Sequence, residues 1–240
     1  MADETSFLGL LSFGDQGWGD ELLRGAWLTI QISICSYLVG MVLGLLGAGA
    51  KLSHNRILRW IADIYTTIVR AVPELLLIIL IYYTGTSALK QLLLMIGIGE
   101  GIDVSPFGAA VAALGFIVGA YMTEVFRGAI LAVPKGQMEA ARAYGMPATL
   151  RFRRILFPQL MRYALPGLNN LWLVMIKDSS LISVVGYYEL LFAGKQAAAS
   201  TRDYMFFYAV TALCFLTLTI ISMIGSQQLE RRSTRGLRRA

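Results

Sequence analysis

Residues 22–50 read LLRGAWLTIQISICSYLVGMVLGLLGAGA, and this apolar segment decides the class of fold. Its polar residues, such as Thr29 and Ser33, are ones that a helix in lipid tolerates. An α-helix rises 1.5 Å per residue, so about 20 residues cross a hydrocarbon core of about 30 Å. Comparable apolar segments occupy residues 60–94, 107–126, 163–185 and 204–225. The sequence therefore predicts an all-α membrane protein with about five transmembrane helices.

The composition agrees with a membrane protein. Hydrophobic residues make up 56% of the chain and charged residues 15%, whereas a soluble domain is about half apolar and about a quarter charged. The net charge of +6 comes from basic residues in the loops between apolar segments. This arrangement orients a membrane protein, and it excludes a nucleic-acid-binding protein.

The distribution of the basic residues predicts the orientation of the chain. Residues 51–59, residues 127–162 and the C-terminal tail hold 15 of the 21 Lys and Arg. Cytoplasmic loops carry an excess of Lys and Arg, so these stretches are predicted to be cytoplasmic and the N-terminus to lie outside. The predicted domains are an extracytoplasmic N-terminal segment (1–21), a transmembrane domain (22–228) that includes the cytoplasmic loop 127–162, and a basic cytoplasmic tail (229–240).

The second apolar segment, residues 60–94, is too long for a single crossing. It contains Pro73, and proline removes a backbone hydrogen bond and clashes with the preceding turn. We therefore predict a kink or break near residues 70–74.

Five charged residues are predicted to lie at membrane depth, namely Arg70, Glu74, Glu124, Lys177 and Asp178. Each costs about 2.5–3.5 kcal/mol to insert, so such residues usually face a protein interior or a water-filled cavity. A helix broken at Pro73 is likewise tolerated mainly where it lines a cavity. These residues are candidates for a polar path through the protein. The alternative is that they pair with one another and only fix the packing of the helices.

Residues 127–162 form the longest polar interval, in which Glu139 is the one acidic residue among seven basic ones. Residues 138–144 are predicted to form a short helix with Glu139 in its first turn, where the helix dipole favours an acid. Gly145 is expected to end this helix, and Pro147 prevents its continuation.

A second amphipathic stretch follows at residues 150–157, and Pro158 and Pro166 are predicted to stop and redirect it. A short, stiff helix held at the membrane surface by turns on both sides suits the transmission of force to a soluble partner. A basic amphipathic segment lying on anionic lipid would have the same pattern. The pattern alone leaves both interpretations open.

Residues that carry catalysis or bind metal are scarce. His54 is the single histidine, and Cys35 and Cys214 both fall inside apolar segments. No zinc spacing is present, and a disulfide is not expected. The chain also lacks the phosphate-binding pattern G-x-x-x-x-G-K-[ST]. We therefore predict that the chain is not an enzyme and binds no cofactor or metal.

The interval 127–162 resembles the EAA loop of importer-type ABC permeases. The matching positions are Glu139, Ala140, Ala141, Gly145, Ile155 and Pro158. In that family the loop forms a coupling helix that docks into a groove on a cytoplasmic ATPase subunit. The resemblance implies that these six residues couple this chain to an ATPase.

Three further stretches resemble the polar amino-acid branch of that family. Residues 70–76, RAVPELL, are similar to RGTPELL, with Ala71 and Val72 where Gly and Thr are usual. Residues 177–181, KDSSL, are similar to KDTSL, and residues 121–128 also look like this branch. The chain as a whole resembles the permeases for histidine, arginine, lysine and opines.

The resemblance implies a fold like that of type I ABC importers and a place in a bacterial inner membrane. The expected function is that of the transmembrane permease subunit of an ATP-driven importer of a polar, basic amino acid or an opine. The expected partners are ATPase subunits that bind ATP and Mg²⁺, a second permease subunit, identical or similar, and an extracytoplasmic substrate-binding protein.

An amino acid presents an ammonium group and a carboxylate, so the implied path needs charges of both signs. Glu74 or Glu124 would meet the ammonium or guanidinium group, and Lys177 or Arg70 would meet the carboxylate. A subunit of a secondary amino-acid transporter and a structural membrane anchor subunit are the alternative interpretations.

Overall fold

The computed structural model describes residues 7–14, 17–95 and 105–233, and within these ranges the chain is helical and contains no strand. The helices are, in order, α1 (Phe7–Leu10), α2 (Gly19–Lys51), α3 (Arg56–Ala71), α4 (Glu74–Leu80), a π-helical turn (Ile81–Gly85), α5 (Thr86–Met95), α6 (Pro106–Ala132), α7 (Lys135–Ala143), α8 (Ala148–Arg151), a second π-helical turn (Phe152–Leu156), α9 (Phe157–Asp178), a 3₁₀ helix (Ser179–Val185), α10 (Leu190–Thr201) and α11 (Tyr204–Ser233). The predicted all-α class is confirmed for these ranges.

Three helices in the described ranges are long and apolar enough to cross a membrane by themselves. They are α2, α6 and the part of α11 from Tyr204 to Gln228. A fourth span exists if α3 and the helix that follows it are counted as one bent span. The apolar segment 163–185, the fourth of the five predicted spans, falls mainly on α9, which is not among these helices and contains polar residues such as Asn169 and Asn170. The number of five and the orientation therefore stay predictions.

The break predicted near Pro73 is confirmed. Helix α3 ends at Ala71, and Val72 takes an extended conformation with φ −92° and ψ 139°. Proline disfavours helical geometry in the residue before it, which explains this conformation. The chain turns by 113° between Arg56–Ala71 and Glu74–Ala88.

Two features differ from the sequence prediction. Pro158 and Pro166 do not stop the chain, because Pro158 lies in the first turn of α9 and Pro166 lies inside it. The π-helical turn Phe152–Leu156 directly before α9 is a local adjustment of the kind by which membrane helices accommodate proline, and it lies next to Pro158. In addition, residues 186–203, the predicted loop between the last two apolar segments, contain a helix, α10, of 12 residues.

The chain divides into two compact units, each assembled from three separate stretches. The first unit comprises Met1–Ser36, Leu75–Leu114 and Met175–Ile220, and the second comprises Tyr37–Glu74, Gly115–Val174 and Ile221–Ala240. The contiguous domains predicted from the sequence stay a prediction.

The core of the first unit is centred on the start of α10. Leu22 of α2 packs with Leu190 and Ala193 of α10, and all three are buried. Trp18 meets Phe207 edge to face, with ring centroids 6.5 Å apart. A Cβ atom on Gly25 would lie only 2.9 Å from the Cα of Leu190, so glycine permits this close approach of α2 to α10.

Glu189 is a fully buried carboxylate in this unit, and it caps α10. Its oxygens accept hydrogen bonds from the backbone N–H groups of Leu191 and Phe192, both at 2.8 Å. The Thr29 hydroxyl donates a third, longer bond of 3.4 Å. Burial raises the pKa of Glu189 to about 7. The side chain satisfies backbone donors that the first turn of any helix leaves without partners.

We expect Glu189→Ala to destabilise the protein by about 1–3 kcal/mol, because the N–H groups of the partly buried residues Leu191 and Phe192 would lose their acceptor. The measurement is thermal unfolding of the purified protein in detergent. Gln196→Ala, an exposed position on the same helix, is the matched control and should leave the unfolding temperature unchanged. Equal unfolding temperatures for both variants would contradict the capping role.

In the second unit, α2 and α6 are packed so closely that three positions of α2 facing α6 have no room for a side chain. A Cβ atom on Gly44 would lie 2.5 Å from the Cβ of Met122, and one on Gly47 would lie 2.3 Å from Oγ1 of Thr123. Gly40 meets Val118 in the same way, at 2.3 Å. Small residues let membrane helices approach closely and gain van der Waals contact. The two helices therefore form a tightly joined pair over about two turns.

Gly44→Ala is expected to destabilise the protein by roughly 1–3 kcal/mol, the usual cost of overpacking a tight core. Gly49→Ala serves as control, because Gly49 lies on the same helix with open space around it. This control should be neutral or slightly stabilising, since alanine favours helix over glycine. Both variants would be compared by thermal unfolding in detergent, and equal stability would contradict the close packing.

Candidate functional site

A charged cleft of about 340 Å³ opens in the second unit between α2, α3 and α6. Its lining is formed by Lys51, Thr66, Thr67, Arg70, Ala71 and Glu124. Two of the residues predicted for the polar path, Arg70 and Glu124, are thus brought together. The cleft also contains Lys51, Thr66 and Thr67, which were not predicted from the sequence to belong to the polar path.

The polar face of α3 forms one wall of this cleft. Asp63, Thr66, Thr67 and Arg70 recur at a spacing of three to four residues, which places them on one side of a helix. The opposite face is apolar and exposed, and includes Ile61, which is 54% exposed, and Ile68, which is 52% exposed. This spacing is the signal from which Thr66 and Thr67 could have been predicted.

Four charged residues form a network along the edge of the cleft. The Nζ of Lys51 lies 3.0 Å from the Asp63 carboxylate and also contacts Oε1 of Glu124. The Arg127 guanidinium lies 2.9 Å from Oε2 of Glu124. The Lys51 side chain is only 10% exposed. We call Asp63, Lys51, Glu124 and Arg127 the ion network.

The ion network changes the interpretation of Glu124. Each of its carboxylate oxygens already faces a cation, one from Lys51 and one from Arg127. Opposite charges in contact neutralise one another's field, which weakens attraction for a further cation. The geometry therefore agrees with the alternative stated from the sequence, that Glu124 pairs within the protein and fixes helix packing.

Arg70 occupies a different position in the cleft. Its guanidinium carbon lies 5.9 Å from the centre of the Tyr121 ring, a cation–π distance. Arg70 is exposed, and the neighbouring hydroxyl of Thr66 is directed back to the carbonyl of Ala62 at 3.0 Å. A planar guanidinium at the cleft wall is well suited to bind a carboxylate with two parallel hydrogen bonds.

The other residues predicted for the polar path are placed as follows. Pro73 is exposed at the break after α3, and the partly buried Glu74 begins α4. Lys177 and Asp178 end α9 in the first unit, Lys177 exposed and Asp178 partly buried. The Ser180 hydroxyl donates to the carbonyl of Lys177 at 2.6 Å. Their roles in a path stay predictions.

The predicted surface helix exists as α7, and it ends as expected at Gly145. Gly145 has φ +70°, and its N–H donates to the Arg142 carbonyl at 2.9 Å. The N–H of Met146 donates to the Ala141 carbonyl at 3.0 Å. These two bonds define the Schellman motif, a common glycine-dependent helix end.

The start of α7 differs from the prediction. The helix begins at Lys135 immediately after Pro134, so Glu139 lies beyond the first turn and not within it. Proline at a helix start is favourable because it lacks an N–H group that would have no partner there. The predicted interaction of Glu139 with the helix dipole is therefore not supported.

One face of α7 packs against the rest of the second unit, and the other face is exposed. Ala141 is buried with 4% exposure, and Gln137 is hydrogen bonded to Gln159 of α9. Glu139 and Ala140 are exposed, and Tyr144 at the C-terminal end is 88% exposed.

The chain that follows α7 carries the other two predicted coupling residues. Ile155 is partly buried and Pro158 is exposed. The guanidinium of Arg151 holds the connecting turn by donating to the Met146 carbonyl at 2.9 Å. The result is a short helix on a firm base that presents polar and aromatic side chains outward.

Comparison with known proteins identifies the molecule. The family described as "Binding-protein-dependent transport system inner membrane component" matches residues 40–235. The chain belongs to this family. It is therefore a component of a transport system in an inner membrane, and the resemblance stated from residues 127–162 is confirmed.

Relatives of this inner membrane component match it over nearly its whole length. The nopaline transport system permease protein NocQ of Agrobacterium fabrum (strain C58) is 46% identical over 232 residues, covering 96% of this chain and 98% of the relative. The histidine/lysine/arginine/ornithine transport system permease protein HisQ of Escherichia coli (strain K12) is 43% identical over 224 residues, covering 93% and 98%.

The fold of the inner membrane component also has a counterpart among solved structures. A crystal structure of an amino acid ABC transporter with histidines contains a chain that superposes with a TM-score of 0.75. The two chains are 28% identical, and the match covers 90% of this chain and 95% of the other. The expectation of a fold like that of type I ABC importers is confirmed.

Proposed function

We propose that this chain translocates a polar, basic amino acid or an opine as the permease subunit of an ATP-driven importer. The observation that carries this proposal is the full-length similarity, above 40% identity, to permeases named for nopaline and for histidine, lysine, arginine and ornithine. The charged cleft agrees with a zwitterionic substrate, because it lies in a chain of otherwise apolar helices.

The proposed ATPase partner is suggested by the exposed face of α7, and the other proposed partners are those that the resemblance to ABC importer permeases implies. An ATPase subunit docks on the exposed face of α7, with Glu139, Ala140, Ala141, Gly145, Ile155 and Pro158 forming or supporting the contact. ATP and Mg²⁺ are bound by that subunit, and this chain binds no cofactor. A second permease subunit, identical or similar, completes the path, and an extracytoplasmic binding protein delivers the substrate. In this arrangement the N-terminus lies outside and residues 127–162 lie in the cytoplasm.

Within the cleft, Arg70 is proposed to bind the substrate carboxylate. Thr66 and Thr67 stand beside it on the same wall. Glu124 is neutralised by its neighbours, so the cationic group of the substrate is met elsewhere in the path, with Glu74 and Asp178 as the candidates. Pro73 and Lys177 are proposed to shape and line the same path.

The test is uptake by the complete complex in proteoliposomes. The chain would be produced with its partner permease and its ATPase, and the binding protein would be added outside. Radiolabelled histidine, arginine, lysine and nopaline would each be supplied, with and without internal ATP. We expect ATP-dependent accumulation of at least one of them. Accumulation driven by a proton or sodium gradient without ATP would overturn the proposal and favour a secondary transporter.

A further inference from the structure

We propose that the ion pair between Lys51 and Asp63 transmits the movement of α7 to the substrate cleft, so that Asp63 is a positioning residue for transport. The inference rests on the proposed function, because it assumes that an ATPase moves α7. It concerns how that movement reaches α3, a helix that has no direct chain connection to α7.

The first step is that α6 carries the movement of α7. Helix α6 ends at Ala132, and only Val133 and Pro134 separate it from α7. Val133 is buried and its N–H is bonded to the Ile130 carbonyl at 3.3 Å, which makes the connection short and ordered. A displacement of α7 therefore acts directly on the end of α6 that carries Glu124 and Arg127.

The second step is that α2 follows α6. The contacts of Gly40, Gly44 and Gly47 with α6 leave no space in which the two helices could slide or separate freely. Lys51, at the end of α2, is also held by Glu124 of α6. The carboxylate of Glu124 is 20% exposed and the Lys51 side chain 10%. The Lys51–Glu124 contact thus belongs to the α2–α6 pair and moves with it.

The third step is the connection to α3. Helix α3 follows α2 after residues 52–55. Among the polar contacts that tie α3 to the α2–α6 pair are the Lys51–Asp63 ion pair at 3.0 Å, a 2.6 Å hydrogen bond from the Tyr65 hydroxyl to the Phe116 carbonyl, and the contact of Arg70 with the Tyr121 ring. Helix α3 carries Thr66, Thr67 and Arg70 into the cleft. A pull on Asp63 would therefore reposition the residues proposed to meet the substrate.

The exposure of the two carboxylates decides which contact can change during transport. Asp63 is 54% exposed, whereas Glu124 is 20% exposed. An exposed ion pair is weak and reversible, and breaking a buried pair is much more costly. Lys51 would stay with Glu124 while its contact with Asp63 forms and breaks. The Lys51–Asp63 pair thus has the properties of a reversible connection between the α2–α6 pair and α3.

The experiment compares uptake with ATP hydrolysis in the proteoliposome complex. Asp63→Asn removes the charge from an exposed side chain, so the complex should still assemble and hydrolyse ATP at a rate within about twofold of the wild type. We expect uptake to fall at least tenfold, which lowers the number of substrate molecules transported per ATP. Asp63→Glu, which keeps the charge, should recover most of the uptake. Arg59→Gln, on the same helix, is the matched control and should keep the wild-type ratio, because the Arg59 guanidinium donates to the nearby Ser53 carbonyl at 2.9 Å and does not line the cleft.

The outcomes separate the inference from the proposed function. An unchanged ratio in Asp63→Asn, or a parallel loss of uptake and hydrolysis that Asp63→Glu does not restore, would overturn the inference and leave the proposed function intact. A wild-type complex without ATP-dependent uptake would overturn the proposed function and, with it, the premise of the inference. Lys51→Met provides a second variant, and it too should lower uptake at least tenfold.

Discussion

Replacing Gly145 by valine is expected to lower ATP-driven uptake by about 5- to 30-fold. Gly145 has φ +70° and forms the end of α7 through its bond to the Arg142 carbonyl. A left-handed conformation costs an L-residue about 1–2 kcal/mol, and a β-branched residue is the least suited to it. Valine would therefore unwind the last turn and displace Tyr144 and Ala141. Since about 1.4 kcal/mol corresponds to a tenfold change in an equilibrium constant, this cost predicts a loss of ATPase affinity of about 5- to 30-fold.

The measurement is the amount of ATPase subunit that co-purifies with the permease, together with uptake in proteoliposomes. Gly136→Ala is the control, because Gly136 lies in the same helix, has open space around it and has no left-handed backbone. This variant should assemble and transport normally. Full ATPase binding by Gly145→Val would show that α7 is not the docking element and would favour the lipid-surface interpretation of residues 127–162.

Arg70→Gln is expected to lower the rate of substrate uptake by about 10- to 100-fold. A hydrogen bond to a charged group contributes about 1.5–3 kcal/mol to binding, and this free energy corresponds to a change of about 10- to 100-fold. Glutamine keeps a polar side chain but loses the charge and the two parallel donors that match a carboxylate. The effect should appear as slower uptake at every concentration of loaded binding protein, with assembly of the complex unchanged.

Arg59→Gln is the matched control for this variant as well. Arg59 and Arg70 lie on the same helix, but only Arg70 lines the cleft. The control should transport at the wild-type rate. If the two variants lost the same fraction of activity, a general requirement for positive charge on α3 would explain the result better than carboxylate binding by Arg70.

The features predicted correctly from the sequence are those set by one residue and its immediate neighbours. Proline forces Val72 out of helical geometry, and glycine allows the left-handed end of α7, so the break at Pro73 and the turn at Gly145 could both be located. Proline was less informative at positions 158 and 166. Pro158 follows a π-helical turn that accommodates it, and Pro166 lies inside α9 without ending it. Whether a helix continues through a proline depends on its surroundings, which a local pattern does not contain.

The candidate site could be predicted only in part, because its geometry depends on residues far apart in the chain. The contact between Lys51 and Glu124 joins positions separated by 73 residues. From the sequence, Lys51 is an ordinary basic residue at the end of a span, and Glu124 is a candidate to bind a cation. Only the packing of α2 on α6 brings them together, and this contact changes the role assigned to both.

The close packing of α2 on α6 also constrains how the sequence can evolve. Because the Cβ of Met122 lies only 2.5 Å from the place that a Cβ on Gly44 would take, Gly44 cannot accept a larger residue while position 122 carries a side chain. Alanine at position 44 would survive in a lineage only after position 122 had become glycine, the one residue without a Cβ. Selection for restored growth in a Gly44→Ala strain that depends on this transporter should therefore return second-site changes on α6, and position 122 is the one where they should recur.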